Sequence, residues 1–156
     1  MTSKAPTERL VFVDEVRIRG DGLALALGVG EYERSPAGEV WDDNWLRGSA
    51  EVRIEQAPTA TFRAKCDVAW QTTELRAFHE SLRALLDDLT GTARLATIED
   101  QVEVTIELKA GKGTLTGRVE AHAIAALEFE ASTDQSFLAH TLEALRAIVA
   151  KYPYLG

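Results

Sequence analysis

The sequence predicts an α+β fold: a single curved antiparallel sheet of about 7–8 strands with two helices packed on one face. Apolar residues alternate with period two through most of the chain, and Gly-, Pro- or acid-containing turns separate the alternating runs. The period changes to 3.6 in two stretches, near 73–89 and 135–151. The order is therefore four strands, a helix, three or four strands and a helix, within one domain spanning 1–156.

Residues 1–8 are polar and contain Pro6, and read as a disordered lead-in. The run from Leu10 to Ile18 is rich in Val, Ile and Phe and closes at Gly20-Asp21-Gly22, a strand and its turn. A second strand places Leu23, Leu25, Leu27 and Val29 on one face and the small residues Ala24, Ala26 and Gly28 on the other. Residues 31–44, with Pro36, Gly38 and five acids, break the alternation and are expected to form a long acidic loop. Next come Leu46, Gly48, Ala50, Val52 and Ile54, a turn at Ala57-Pro58-Thr59, and a partner strand with Phe62, Ala64, Cys66, Val68 and Trp70. Leu75, Phe78, Leu82, Leu85, Leu86 and Leu89 then make a helical stripe that Thr72 or Thr73 can cap and Gly91 can stop. Strands follow over Ala93 to Ile98 and Val102 to Leu108, with a hairpin turn at Gly111-Lys112-Gly113. The alternation from Leu115 to Ala131 fits one very long strand, or two strands bent near Ala123 to Ala126. The last helix runs from about Gln135 to Lys151, with Asp134 as cap and Pro153 as stop. Leu82-Arg83-Ala84-Leu85-Leu86 superposes on Leu145-Arg146-Ala147-Ile148-Val149 at an offset of 63. Two readings stay open here, a degenerate strand–helix repeat and two ordinary amphipathic helices that each follow a strand.

Hydrophobic residues at 46% and charged residues at 27% exclude wholesale disorder. A net charge of −8 without a run of basic residues argues against nucleic acid as a partner. No stretch approaches the roughly 20 apolar residues of a membrane span, and Cys66, the only cysteine, permits no internal disulfide, so a cytoplasmic location is expected. His79, His122 and His140 show none of the spacings that hold zinc, so neither metal nor cofactor is expected. Cys66 alternates inward with Ala64 and Val68, as a core thiol does, and no catalytic residue is assigned.

The stretch Glu39-Val40-Trp41-Asp42-Asp43-Asn44-Trp45-Leu46 stands apart, with three carboxylates and two indoles in eight residues. Clustered acids collect a cation or a basic partner, and an exposed Trp is a frequent interface anchor. The competing reading plugs Trp45 into the core and makes Asp42, Asp43 and Asn44 an Asx-type turn.

Tyr32 with the acidic loop, DDNWL at 42–46, TTELRAFHESLRALL at 72–86, LEFEAS at 127–132 and DQSFLAHTLEALRAIVAKYP at 134–153 together resemble the WapI-like immunity-protein family over most of the chain. The resemblance implies a small cytoplasmic bacterial protein, not an enzyme, that neutralises a contact-delivered toxin with a tRNA-cleaving domain. It makes the partner a cognate toxin domain held by an acidic surface. On that reading Glu39, Trp41, Asp42 and Asp43 face the partner, while Asn44, Trp45 and Leu46 are structural. Two alternatives remain: a ligand-binding or enzymatic domain with a pocket lined by Ala24, Ala26, Gly28 and 121–126, and an interaction domain that dimerises through an edge strand.

Overall fold

The computed structural model describes residues 14–35, 37–56, 59–121 and 124–156, so the expected lead-in at 1–8 lies outside the described residues. The strands are β1 (Asp14–Gly20), β2 (Leu23–Tyr32), β3 (Trp45–Gln56), β4 (Ala60–Gln71), β5 (Gly91–Ala96), β6 (Val102–Lys109), β7 (Lys112–Ala121) and β8 (Ala125–Asp134). The helices are α1 (Val40–Asp43), α2 (Thr72–Asp88) and α3 (Gln135–Lys151). The stretch 114–131 is thus two strands, and a single helical turn sits inside the loop expected at 31–44.

The fold is α+β, but the single curved sheet of 7–8 strands is not what forms. Two antiparallel sheets form instead, ordered β1-β2-β3-β4 and β5-β6-β7-β8. The reason lies at the strand edges. At the far end of β4 and along β1, outward main-chain groups that a continuous sheet would have paired with another strand are taken by side chains. On β4, Gln101 donates through Nε2 to Asp67 O (3.3 Å) and accepts through Oε1 from Ala69 N (3.3 Å). On β1, the Thr141 and Thr133 hydroxyls donate to Arg17 O (2.7 Å) and Arg19 O (2.8 Å). These bonds satisfy edge groups without a ladder, and they end the sheet there.

The two halves have the same plan: four meandering strands, then a helix of 17 residues, with α2 and α3 starting and ending at the offset of 63 that the sequence shows. Each half also seats its first hairpin on the other half's last strand. The turn after β1 donates from Asp21 N to Ser132 O (2.7 Å), and Gln101, beside the turn after β5, binds β4. One hydrophobic cluster joins both sheets and both long helices, including Ile18, Leu27, Trp70, Phe78, Leu82, Ile106, Leu138 and Leu145. The helix stripes read from the sequence point into it; Leu75, Phe78, Leu82 and Leu85 of α2 are buried.

The caps follow local chemistry. At α2, Gln71 and Glu74 form a capping box, and the chain leaves through Leu89 in the left-handed region (φ 58°). At α3, the Asp134 carboxylate accepts from Ser136 N and Phe137 N.

Candidate functional site

The loop after β2 is built around Asp43. Its carboxylate accepts from Ala37 N (3.1 and 3.0 Å) and Glu39 N (3.0 Å), and from Arg34 Nη2 (3.2 Å). Burial pushes this carboxyl up, but the Ala37 N–H, the Arg34 guanidinium and the Gly38 N–H outweigh it and hold it below the ordinary carboxylate value. Asp43 is 3% exposed, so the structure places it underneath the loop as its brace. Arg34 also lies 3.5 Å from Glu39 and 3.8 Å from Asp42, so the acidic loop carries its own counter-charge.

Asn44 ties this loop to two distant segments. Its Nδ2 donates to Val40 O and to Leu155 O (2.8 Å), while its Oδ1 accepts from Leu155 N (2.8 Å) and from the Thr72 hydroxyl (2.7 Å). All the bonding capacity of the buried amide is used. Leu46 is fully buried, and Trp45 is half-buried with its ring edge-on to Trp41 at 5.9 Å.

Trp41 is 59% exposed, and its position is nevertheless fixed. Gln71 Nε2 donates to its carbonyl (3.2 Å), and Trp45 abuts its ring. The C-terminal segment forms the neighbouring bank. Tyr32 donates to Pro153 O (2.6 Å), the Tyr152 ring stands edge-on to Tyr32, and Arg76 lies 5.5 Å over the exposed Tyr154 ring. Glu39 is exposed and Asp42 half-buried beside this apolar group. The structure therefore gathers Trp41, Val40, Asp42 and Glu39 at the surface and turns Asp43, Asn44 and Leu46 inward. Sequence reasoning missed Arg34, Arg76 and residues 152–155, because the bonds that recruit the tail cross 111 residues and leave no spacing signal.

Both outward faces carry mixed charge. Alternation puts Arg17, Arg19, Arg47, Arg53, Arg63 and Lys65 with Glu15, Glu51, Glu55 and Asp67 on the outward side of the first sheet, and Glu103, Glu107, Glu120, Glu128 and Glu130 with Arg94, Lys109, Lys112 and Arg118 on that of the second.

Near the α2 N-terminus, Glu74 Oε2 is buried and unpartnered among the described residues, while Oε1 accepts from Gln71 N (2.9 Å). Burial pushes this carboxyl up to about 7 against the opposing hydrogen bonds from Gln71 and Ile98, with Glu99 adding to the rise. A carboxyl raised in the folded state binds more protons there than in the unfolded chain, so its contribution weakens as pH rises from about 4.5 to about 7. After allowance for partial solvent screening, the chain is expected to lose roughly 1–2 kcal/mol from this group between pH 5 and pH 8. Glu74→Gln should flatten that part of the slope in urea titrations, and identical slopes for the two chains would refute the assignment.

The histidines and the cysteine assemble no reactive constellation among the described residues. His79 is half-buried, and burial and then Arg83 lower its pKa. His140 shares an open groove with Glu15, Arg17 and Arg19, but the Glu15 carboxylate is engaged by Arg17. Burial, then Asp67, raises the Cys66 thiol. The groove at Ala121, Ala125 and Ala126 has β4 as its other wall, without Ala24 or Ala26. Among the described residues no group of three His, Cys, Asp or Glu could hold a metal ion, and no helix is long and apolar enough to cross a membrane.

The family model of the immunity protein WapI-like family matches residues 17–153. No curated protein matches the chain.

Proposed function

We propose, from the premise that this chain belongs to the immunity protein WapI-like family, that it is a cytoplasmic antitoxin that acts by binding rather than by catalysis. Its partner is a cognate toxin domain with nuclease activity, which it covers and so keeps from its substrate. The observation that carries this reading is the family match, which runs from β1 into the C-terminal segment and spans both sheets and all three helices.

The loop supports a definite division of labour. Trp41 is the anchor: a large side chain held in place before binding loses little conformational freedom when a partner covers it. Asp42 and Glu39 form its acidic rim, and a nuclease that must hold phosphates presents the opposite sign. Asp43 braces the loop from beneath, and Asn44, Trp45 and Leu46 anchor it to the sheet and to the tail. The chain's net charge of −8 adds long-range attraction toward a basic domain.

The test is titration of the purified chain into nuclease toxin domains of the same organism, beginning with any encoded beside its gene, read by calorimetry and by protection of RNA from cleavage. Trp41→Ala is expected to weaken binding by about 2–4 kcal/mol, roughly 30- to 1000-fold. Replacing both rim acids, Glu39→Lys with Asp42→Lys, should slow association about tenfold at low salt and much less at high salt. Asp43 is left intact because its removal would collapse the loop. Unchanged affinity in both variants would take the loop out of the interface.

A further inference from the structure

We propose that the first half of β4 is a docking edge for an extended segment of a protein partner, apolar and acidic at alternate positions, which adds to the sheet as one more strand. The proposal does not depend on the antitoxin reading.

The register of β4 against β3 runs without a shift from Ala60 to Gln71. Residues of one parity therefore turn both main-chain groups away from β3, as Asp67 and Ala69 do toward Gln101. Thr61, Arg63 and Lys65 share that parity. Among the described residues, nothing bonds their outward N–H and C=O groups, whereas Gln101 and the Thr133 and Thr141 hydroxyls close the far end of β4 and the edge of β1. The open half has neither proline nor bulge, and what guards it is the positive charge of Arg63 and Lys65, which repels a cationic strand but not an acidic one.

A groove of about 220 Å³ runs beside this edge, with Phe62, Ala64 and Cys66 on one bank and Val119, Ala125 and Leu127 on the other. Phe62 is 54% exposed, and Ile124, next to the groove, is 88% exposed. A strand bonded to Thr61, Arg63 and Lys65 would point every second side chain at these apolar walls.

Its remaining side chains would stand beside Arg63 and Lys65, and charge decides what they are. Arg53 and Arg63 both pair with Glu51, so one carboxylate serves two guanidinium groups, while Lys65 has no ion pair among the described residues. Opposite Arg63 and Lys65 across the open edge, a carboxylate is favoured over a cation. A second β4 would oppose Arg63 and Lys65 with the same charges, which disfavours self-pairing.

The probe is a capped seven-residue peptide of alternating Glu and Val, with its Lys/Val counterpart as comparison, added to the full chain while main-chain amide signals and their exchange are followed. The Glu/Val peptide is expected to shift the Thr61, Arg63 and Lys65 amides and slow their exchange roughly tenfold, and the Lys/Val peptide to leave them unchanged. Arg63→Pro removes an N–H that the β3–β4 ladder does not use, so it should abolish the effect. The double variant Arg63→Glu with Lys65→Glu keeps every N–H and should reverse the preference toward the Lys/Val peptide. Equal binding of the two peptides, no protection at these amides, or a dimer in light scattering that Arg63→Pro dissolves would overturn the proposal.

Discussion

Gly48→Ala is expected to destabilise the chain by about 3–5 kcal/mol, a large share of the roughly 5–15 kcal/mol that holds a domain of this kind together. An added Cβ would overlap Trp70 Nε1 and Cδ1 and lie 2.5 Å from Gly28 O. The methyl group is trapped between an indole and a backbone carbonyl. The indole cannot swing aside cheaply, because Trp70 is fully buried and its N–H donates to Gly28 O at 2.9 Å. Displacing the ring breaks that bond in a dry environment and opens a void where the ring packed. The measurement is urea unfolding of both chains. Combining Gly48→Ala with Trp70→Leu should cost clearly less than the sum of the two single changes, since the smaller side chain leaves room for the methyl. A loss under about 1 kcal/mol for Gly48→Ala would show that Trp70 does not lie over the glycine.

Asn44→Ala carries the second large effect, expected at about 2–4 kcal/mol. The side chain is small, but it is 1% exposed and its removal orphans four groups at once: Val40 O, Leu155 O, Leu155 N and the Thr72 hydroxyl. Asn44→Asp is expected to fall at least as far despite its matching shape. A carboxylate cannot donate, and it would face the Val40 and Leu155 carbonyls with like polarity. Both variants should also free the Leu155 amide to exchange with solvent and loosen the hold on Trp41, so toxin affinity should drop with stability. Stability within about 0.5 kcal/mol of the parent, with Leu155 still protected, would mean that the tail is held by other contacts.

Much of the local structure was legible. Alternation at 46–54 and 62–70 anticipates β3 and β4, and the leucine spacing at 75–89 anticipates α2 together with its buried face. Asp134 caps α3 as its residue type suggests. These readings succeed because each depends on residues within a turn or two of one another. The acidic loop was legible as a distinct stretch, but the placement of its residues was not. Trp41, Asp42 and Asp43 read as equivalent surface residues; only the fold shows the first two outside and Asp43 beneath, bound to Ala37, Glu39 and Arg34.

The division into two sheets was not legible, and the difference is physical. A strand's periodicity says which face is dry, but it says nothing about which neighbour lies at its edge, and here side chains from remote positions, Gln101, Thr133 and Thr141, occupy those edges. The same holds for charge: residues far apart in the chain, such as Glu51 with Arg63 and Lys65, become neighbours only through strand pairing.

The amino-acid order by itself therefore determined most of the strands, the two long helices, their dry faces and the −8 charge, because these follow from the intrinsic geometry of the backbone and from addition. Tertiary structure alone decided where one sheet stops and the other begins, which acid supports and which acid faces solvent, and how a tail 111 residues away holds the loop that carries Trp41. Those outcomes depend on which buried polar groups can meet once the core has closed, and such meetings are set by positions in space rather than by distance along the chain.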